Sequence, residues 1–211
     1  MNAQTERLEL AGPAGRIQVL RDQPAGASRG TAFLSHPHPL FGGTMDNKVV
    51  QTLARAFVQE GWTAVRFNFR GVGTSEGVHD NGVGEAEDLQ EVVRQLAPQG
   101  EIALGGFSFG AYVTAQAVQA LWESREIRFV VLVGTAAARF AVPPLPREAH
   151  ERALVIHGEQ DDTVPLASVL DWARPQSLPV TVVPGVEHFF HGQLPLLKNL
   201  VARHLRTHGN G

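Results

Sequence analysis

The residues best placed to do chemistry in this chain are a serine at 108, a pair of acids at 161 and 162, and histidines at 188 and 191. A serine hydroxyl is a poor nucleophile near neutral pH, so it needs a base to take its proton and a third group to orient that base. Ser108 stands in Gly106-Phe107-Ser108-Phe109-Gly110, directly after the apolar run Ile102-Ala103-Leu104-Gly105. A strand that turns sharply into a helix forces the turn residue into a strained backbone and needs neighbours without side chains. Gly106 and Gly110 meet that need, and Ala111, Ala115, Val118 and Trp122 then recur at helical spacing. This pattern predicts the Ser108 hydroxyl at the carboxyl end of a strand, beside a helix N-terminus, as a candidate nucleophile.

Both partners that a serine requires lie downstream. His157-Gly158-Glu159-Gln160-Asp161-Asp162-Thr163-Val164-Pro165 follows one apolar stretch, and Gly185-Val186-Glu187-His188-Phe189-Phe190-His191-Gly192 follows the next. The order Ser, Asp, His is one of three common arrangements of a catalytic triad and differs from the chymotrypsin and subtilisin orders. Spacing alone leaves Asp161 against Asp162 and His188 against His191 open, since a modest loop adjustment lets either reach.

These groups must be held by a scaffold. The chain has 211 residues, enough for one sizeable core, and no composition shift divides it, so a single domain over 1–211 is expected. A hydrophobic fraction of 43%, a charged fraction of 18% and a net charge of −3 are ordinary for a soluble protein and offer no polycation for nucleic acid. The absence of cysteine removes disulfides, thiolate metal sites and a cysteine nucleophile. Residues 1–10 carry no apolar signal core and no later run approaches membrane-spanning length, so a cytoplasmic protein without a membrane partner is expected.

Along the chain, Leu8 and Leu10, then Ile17, Val19 and Leu20, flank Gly12-Pro13-Ala14-Gly15 and predict an antiparallel edge hairpin. Residues 31–35 form an inner strand that runs into a loop rich in proline and glycine. Asp46 is the expected N-cap of a helix whose buried face is Val50, Leu53, Ala54, Phe57 and Val58, stopped at Gly61. A strand at 63–69, a glycine-rich loop at 70–81 and a helix carrying Leu89, Val92, Val93 and Leu96 follow. Its acidic start at Glu85, Glu87 and Asp88 suits the helix dipole. Strands at 129–133, 153–156 and 180–183 alternate with helices around 169–173 and at Leu197, Leu200, Val201 and Leu205. The pattern is α/β: a mostly parallel sheet covered on both faces, with ligands where strands end.

The motifs resemble those of the α/β-hydrolase superfamily over essentially the whole chain, and most closely its small lid-less bacterial members. Carrying the resemblance are Gly106-Phe107-Ser108-Phe109-Gly110, His157-Gly158-Glu159-Gln160-Asp161 with Val164-Pro165, Gly185 through His188-Phe189-Phe190, and the loop Arg70-Gly71-Val72-Gly73-Thr74-Ser75. The resemblance implies Ser108 as nucleophile, Asp161 as triad acid and His188 as base, with Asp162 and His191 as solvated neighbours. An acyl-transfer site also needs backbone donors for the developing oxyanion. Phe109 N–H is one. The second belongs to the loop His36-Pro37-His38-Pro39-Leu40-Phe41-Gly42-Gly43, where the family usually has His-Gly or a glycine run. Pro37 and Pro39 lack an N–H, which leaves His38 or Leu40, with His38 favoured.

No cofactor and no metal are expected. The His36-x-His38 pair lacks further ligands, and Gly71-Val72-Gly73 lacks the third glycine of a dinucleotide loop. Arg70 and Ser75 are expected to brace the floor of the site. Phe41, Phe107, Phe109, Phe189 and Phe190 could line an acyl pocket. The interval 137–152 is short and holds Pro143, Pro144 and Pro146, which leaves little room for a lid and points to small, exposed, water-soluble acyl compounds. The expected activity is a carboxylesterase on short-acyl esters. A thioesterase or small-peptide hydrolase with the same triad, and a silent member of the fold that only binds a ligand or partner, are the alternatives.

Overall fold

A computed structural model describes residues 5–207, so the first four of the residues inspected for a signal core lie outside it. Eight strands form one sheet in the order β1-β2-β4-β3-β5-β6-β7-β8. The hairpin comes first: β1 (Glu6–Gly12) and β2 (Gly15–Asp22) pair antiparallel, and β2 pairs antiparallel with β4 (Thr63–Phe67). The remaining strands, β3 (Thr31–Ser35), β5 (Ile102–Phe107), β6 (Ile127–Val133), β7 (Ala153–Gly158) and β8 (Val180–Val183), run parallel to β4.

Side chains alternate across a strand, so each inner strand feeds two cores. Ala32 and Leu34, Ala64, Ala103, and Val131 and Val133 pack under α1 (Lys48–Gln59) and α5 (Leu194–Thr207), where Val50, Leu53, Phe57, Leu197, Val201 and Leu205 meet them. Their neighbours Phe33, Val65, Phe67, Leu104, Val130 and Leu132 point the other way, toward α2 (Val83–Leu96), α3 (Phe109–Leu121) and α4 (Leu166–Ala173). Burial on both faces is why these strands read as near-continuous apolar runs. Among the described residues, no helix is long and apolar enough to cross a membrane.

Two local expectations are corrected. Asn47, not Asp46, caps α1, accepting the Val49 N–H at 2.9 Å; Asp46 turns instead to the buried Arg66 guanidinium at 3.3 Å. Strand β4 ends at Phe67 rather than Phe69, because Phe69 N–H leaves the ladder to donate to His36 Nε2 at 3.0 Å. Between β6 and β7, residues 137–152 hold a proline-rich turn and one 3-10 segment, Arg147–Arg152, and no inserted cap.

Candidate active site

The turn from β5 into α3 puts Ser108 at φ 58°, ψ −117°, a strained conformation for a residue with a side chain. The crossing is tight: a Cβ on Gly106 would strike the Gly110 carbonyl, and one on Gly110 would strike the Ser35 carbonyl. Ser108 is the N-cap of α3, so the N–H of Phe109, first residue of that helix, has no intrahelical acceptor.

The loops after β7 and β8 bring Asp161 and His188 to this point. His188 Nε2 lies 3.0 Å from Ser108 Oγ, and its Nδ1 lies 2.6 Å from Asp161 Oδ2. A carboxylate oxygen accepts, so Nδ1 carries the proton and Nε2 is free to accept from the serine hydroxyl. All three residues are buried. Gly134, at φ 56°, leaves room for the imidazole, since its Cβ would come within 3.1 Å of His188 Cε1.

Asp161 is held by its own turn. Its Oδ1 accepts the Thr163 N–H at 3.0 Å and the Val164 N–H at 2.7 Å, which aims Oδ2 at the imidazole. The buried His157 closes the circuit: its Nε2 donates to the Val164 carbonyl at 2.9 Å and stands 3.5 Å from Asp161 Oδ2. Burial lowers the His157 pKa, opposed by the Val164 bond and the Asp161 charge. Asp162 is exposed and meets the Thr163 hydroxyl at 3.3 Å, while His191 is exposed beside Glu187 at 3.1 Å. Neither joins the three.

The loop after β3 faces Ser108 from the other side. Phe69 N–H donates to His36 Nε2, so Nδ1 of His36 is protonated and donates to the Pro37 carbonyl at 2.7 Å. Burial pushes the His36 pKa down to about 4, with the Pro37 bond opposing, so the ring is neutral at pH 7. Because a peptide is planar and trans, fixing the Pro37 carbonyl also fixes the direction of the His38 N–H. The Leu40 N–H is already engaged, donating to His38 Nδ1 at 3.2 Å. The His38 ring packs on Phe41, His79, Phe109 and Phe140. Its pKa is lowered by burial, then by His79 and Arg139, against Glu85.

Arg70 and Ser75 bind protein groups. Arg70 meets Asp88 through two hydrogen bonds, Nε at 2.9 Å and Nη2 at 2.8 Å, tying the loop after β4 to α2. Ser75 donates to the Asn68 carbonyl at 2.7 Å and accepts the Gln18 N–H at 2.9 Å. Of the five phenylalanines in or beside these loops, Phe107, Phe109 and Phe190 are buried in the cores, and Phe41 and Phe189 remain exposed. Sequence reasoning gave His157 no role, and it weighed His36 only as the start of the oxyanion loop and as half of a metal pair that lacks further ligands. Their common signal is a histidine at the carboxyl end of a buried strand. Among the described residues no group of three or more His, Asp or Glu side chains is placed to hold a metal ion.

Comparison with known proteins agrees with this architecture. Residues 40–153 match the family model described as alpha/beta hydrolase fold. A serine hydrolase without a lid from Xanthomonas campestris is 37% identical, with a TM-score of 0.86 over 98% of this chain and 96% of that one. A serine hydrolase homologue from Coxiella burnetii is 39% identical, with a TM-score of 0.82 over 95% and 97%. An uncharacterized protein of Rickettsia prowazekii is 31% identical over 198 residues, 85% of this chain and 79% of that protein. With an eight-stranded sheet of this order, no inserted cap, and matches of this extent, the chain belongs to the α/β-hydrolase family.

Proposed function

We propose that the chain acts as a single-domain carboxylesterase on small or short-acyl esters, with Ser108, His188 and Asp161 as its triad. The observation that supports this best is the continuous line from Ser108 Oγ to His188 Nε2 at 3.0 Å and from His188 Nδ1 to Asp161 Oδ2 at 2.6 Å. In this reading His188 takes the hydroxyl proton as Oγ bonds to the ester carbon. The oxyanion is received by the N–H groups of Phe109 and His38, each such donor worth about 100-fold to 1000-fold in rate. As the carbon–oxygen bond to the alcohol breaks, His188 gives its proton to the leaving oxygen. Water then attacks the acyl carbon, losing a proton to His188; the bond from that carbon to Oγ breaks, His188 returns the proton to Oγ, and the acid leaves. The engagement of the Leu40 N–H by His38 Nδ1 supports His38 as the second donor. The missing cap supports exposed substrates.

Turnover of p-nitrophenyl acetate tests the reading. Ser108→Ala and His188→Ala should each lose it while circular dichroism stays that of the parent protein. Undiminished turnover by a folded Ser108→Ala protein ends the proposal.

A further inference from the structure

We infer that the two exposed phenylalanines divide the ester between them, Phe41 covering an apolar acyl chain and Phe189 the apolar part of the leaving alcohol. The inference rests on the serine chemistry proposed above and names its substrate class: esters of uncharged alkyl or aryl alcohols with apolar acyl chains of several carbons.

Singly exposed apolar side chains are ordinary, but a group of them around one opening marks a contact surface. Of the large hydrophobic side chains exposed among the described residues, Phe41 and Phe189 are the ones whose rings meet site histidines, His38 and His188, and Leu40 adjoins Phe41. Leu40 is 71% exposed, Phe41 74% and Phe189 42%. Phe41 is nonetheless held: its N–H donates to the His38 carbonyl at 3.1 Å, its ring meets the His38 ring at 4.9 Å, and the Arg139 guanidinium stands over the ring, 5.6 Å from its centroid. An aromatic ring fixed from behind and open to solvent in front is ready for a ligand.

The chemistry assigns the sides. A tetrahedral intermediate on Ser108 carries the oxyanion, the leaving oxygen and the acyl carbon. His188 can protonate the leaving oxygen only if the alcohol lies on its side, where the Phe189 ring is 5.0 Å from the imidazole and 5.9 Å from Phe107. β3 and β8 lie on opposite sides of β5 in the sheet, so the loops carrying Phe41 and Phe189 approach Ser108 from opposite flanks. With the leaving oxygen facing His188 and the oxyanion on the Phe109 and His38 N–H groups, the acyl chain takes the remaining position, past the His38 ring along the outer part of the same loop toward Leu40 and Phe41.

Full burial of a methylene is worth about fourfold in binding, and contact on one side only about half that free energy, or about twofold. The test is a matrix of kcat/KM values: p-nitrophenyl acetate, butyrate and hexanoate vary the acyl chain, and ethyl, butyl and hexyl acetate vary the alcohol. In the parent protein each series should rise about twofold per methylene, about 16-fold from acetate to hexanoate. Phe41→Ser should flatten the acyl series and keep the slope of the alcohol series, and Phe189→Ser should do the reverse. Flat series in the parent protein, slopes that survive both substitutions, or one substitution flattening both series would overturn the division. Fluorophosphonate labelling of Ser108 separates the two levels: labelled protein with the wrong slopes sinks only the division, whereas unlabelled protein that cleaves no ester sinks the chemistry with it.

Discussion

Replacing Asp161 by asparagine should leave the protein folded and nearly abolish catalysis, for a reason visible in its hydrogen bonds. Oδ1 accepts two backbone N–H groups, from Thr163 and Val164, and Oδ2 accepts from His188. The new amide has one acceptor and one donor end. Turning its NH2 toward the two N–H groups would unpair both, at about 1–3 kcal/mol for the buried Val164 donor and less for the part-buried Thr163 donor, so the oxygen stays there and the NH2 faces His188. That NH2 needs an acceptor, which puts the imidazole proton on Nε2 and leaves Ser108 without a base. The same tautomer reversal in Ser-His-Asp enzymes lowers kcat about ten-thousand-fold, which corresponds to about 5 kcal/mol of barrier. Asp161→Ala should differ, since it unpairs both N–H groups and should cost about 1–3 kcal/mol of stability as well, from the buried Val164 donor. Steady-state ester hydrolysis with urea unfolding of both variants reads the two effects. Asp161→Asn within tenfold of parent activity, or unfolded where Asp161→Ala is not, would refute the argument.

Other consequences follow from the same contacts. Asp162→Ala and His191→Ala, which alter exposed side chains outside the triad geometry, should each keep kcat/KM within about twofold in the same assay. His36 is neutral in the fold, with a pKa lowered from 6.5 to about 4, so the unfolded chain binds its proton first as pH falls. Its contribution, about 3 kcal/mol, is present above pH 6.5 and lost progressively down to about pH 4. Urea midpoints measured at pH 7.5, 5.5 and 4 should therefore fall less steeply in His36→Asn than in the parent protein, and parallel curves would contradict this. Asp88→Ala removes both charge-assisted hydrogen bonds of the buried Arg70 guanidinium, leaving Glu87 at 3.6 Å as its carboxylate neighbour, and should lower stability by about 1.5–3 kcal/mol, seen as an earlier unfolding midpoint.

Much of this was legible in the sequence because the signals are steric. Only glycine fits at 106 and 110, so the turn at Ser108 announces itself, and strands buried on both faces have to be apolar throughout. What stayed hidden depends on a single residue's choice between neighbours. Asp161 and Asp162 look alike until the turn at Thr163 and Val164 takes one carboxylate, and Asp46 and Asn47 are both good caps until Arg66 claims the first. Residue type likewise cannot tell Phe190, buried under α5, from its neighbour Phe189 at the mouth. The roles of His36 and His157 were unreadable because a histidine that carries a proton to a carbonyl and one that sits in a loop have the same letter.

The central claim is that Ser108 is the one hydroxyl this fold activates, through His188 at 3.0 Å. Treating the intact protein with a fluorophosphonate and mapping the adduct by peptide mass spectrometry tests it directly. The account predicts one adduct per chain, on Ser108, absent from Ser108→Ala and formed far more slowly in His188→Ala. An adduct on a different residue, or labelling of Ser108 at an undiminished rate without His188, would contradict it.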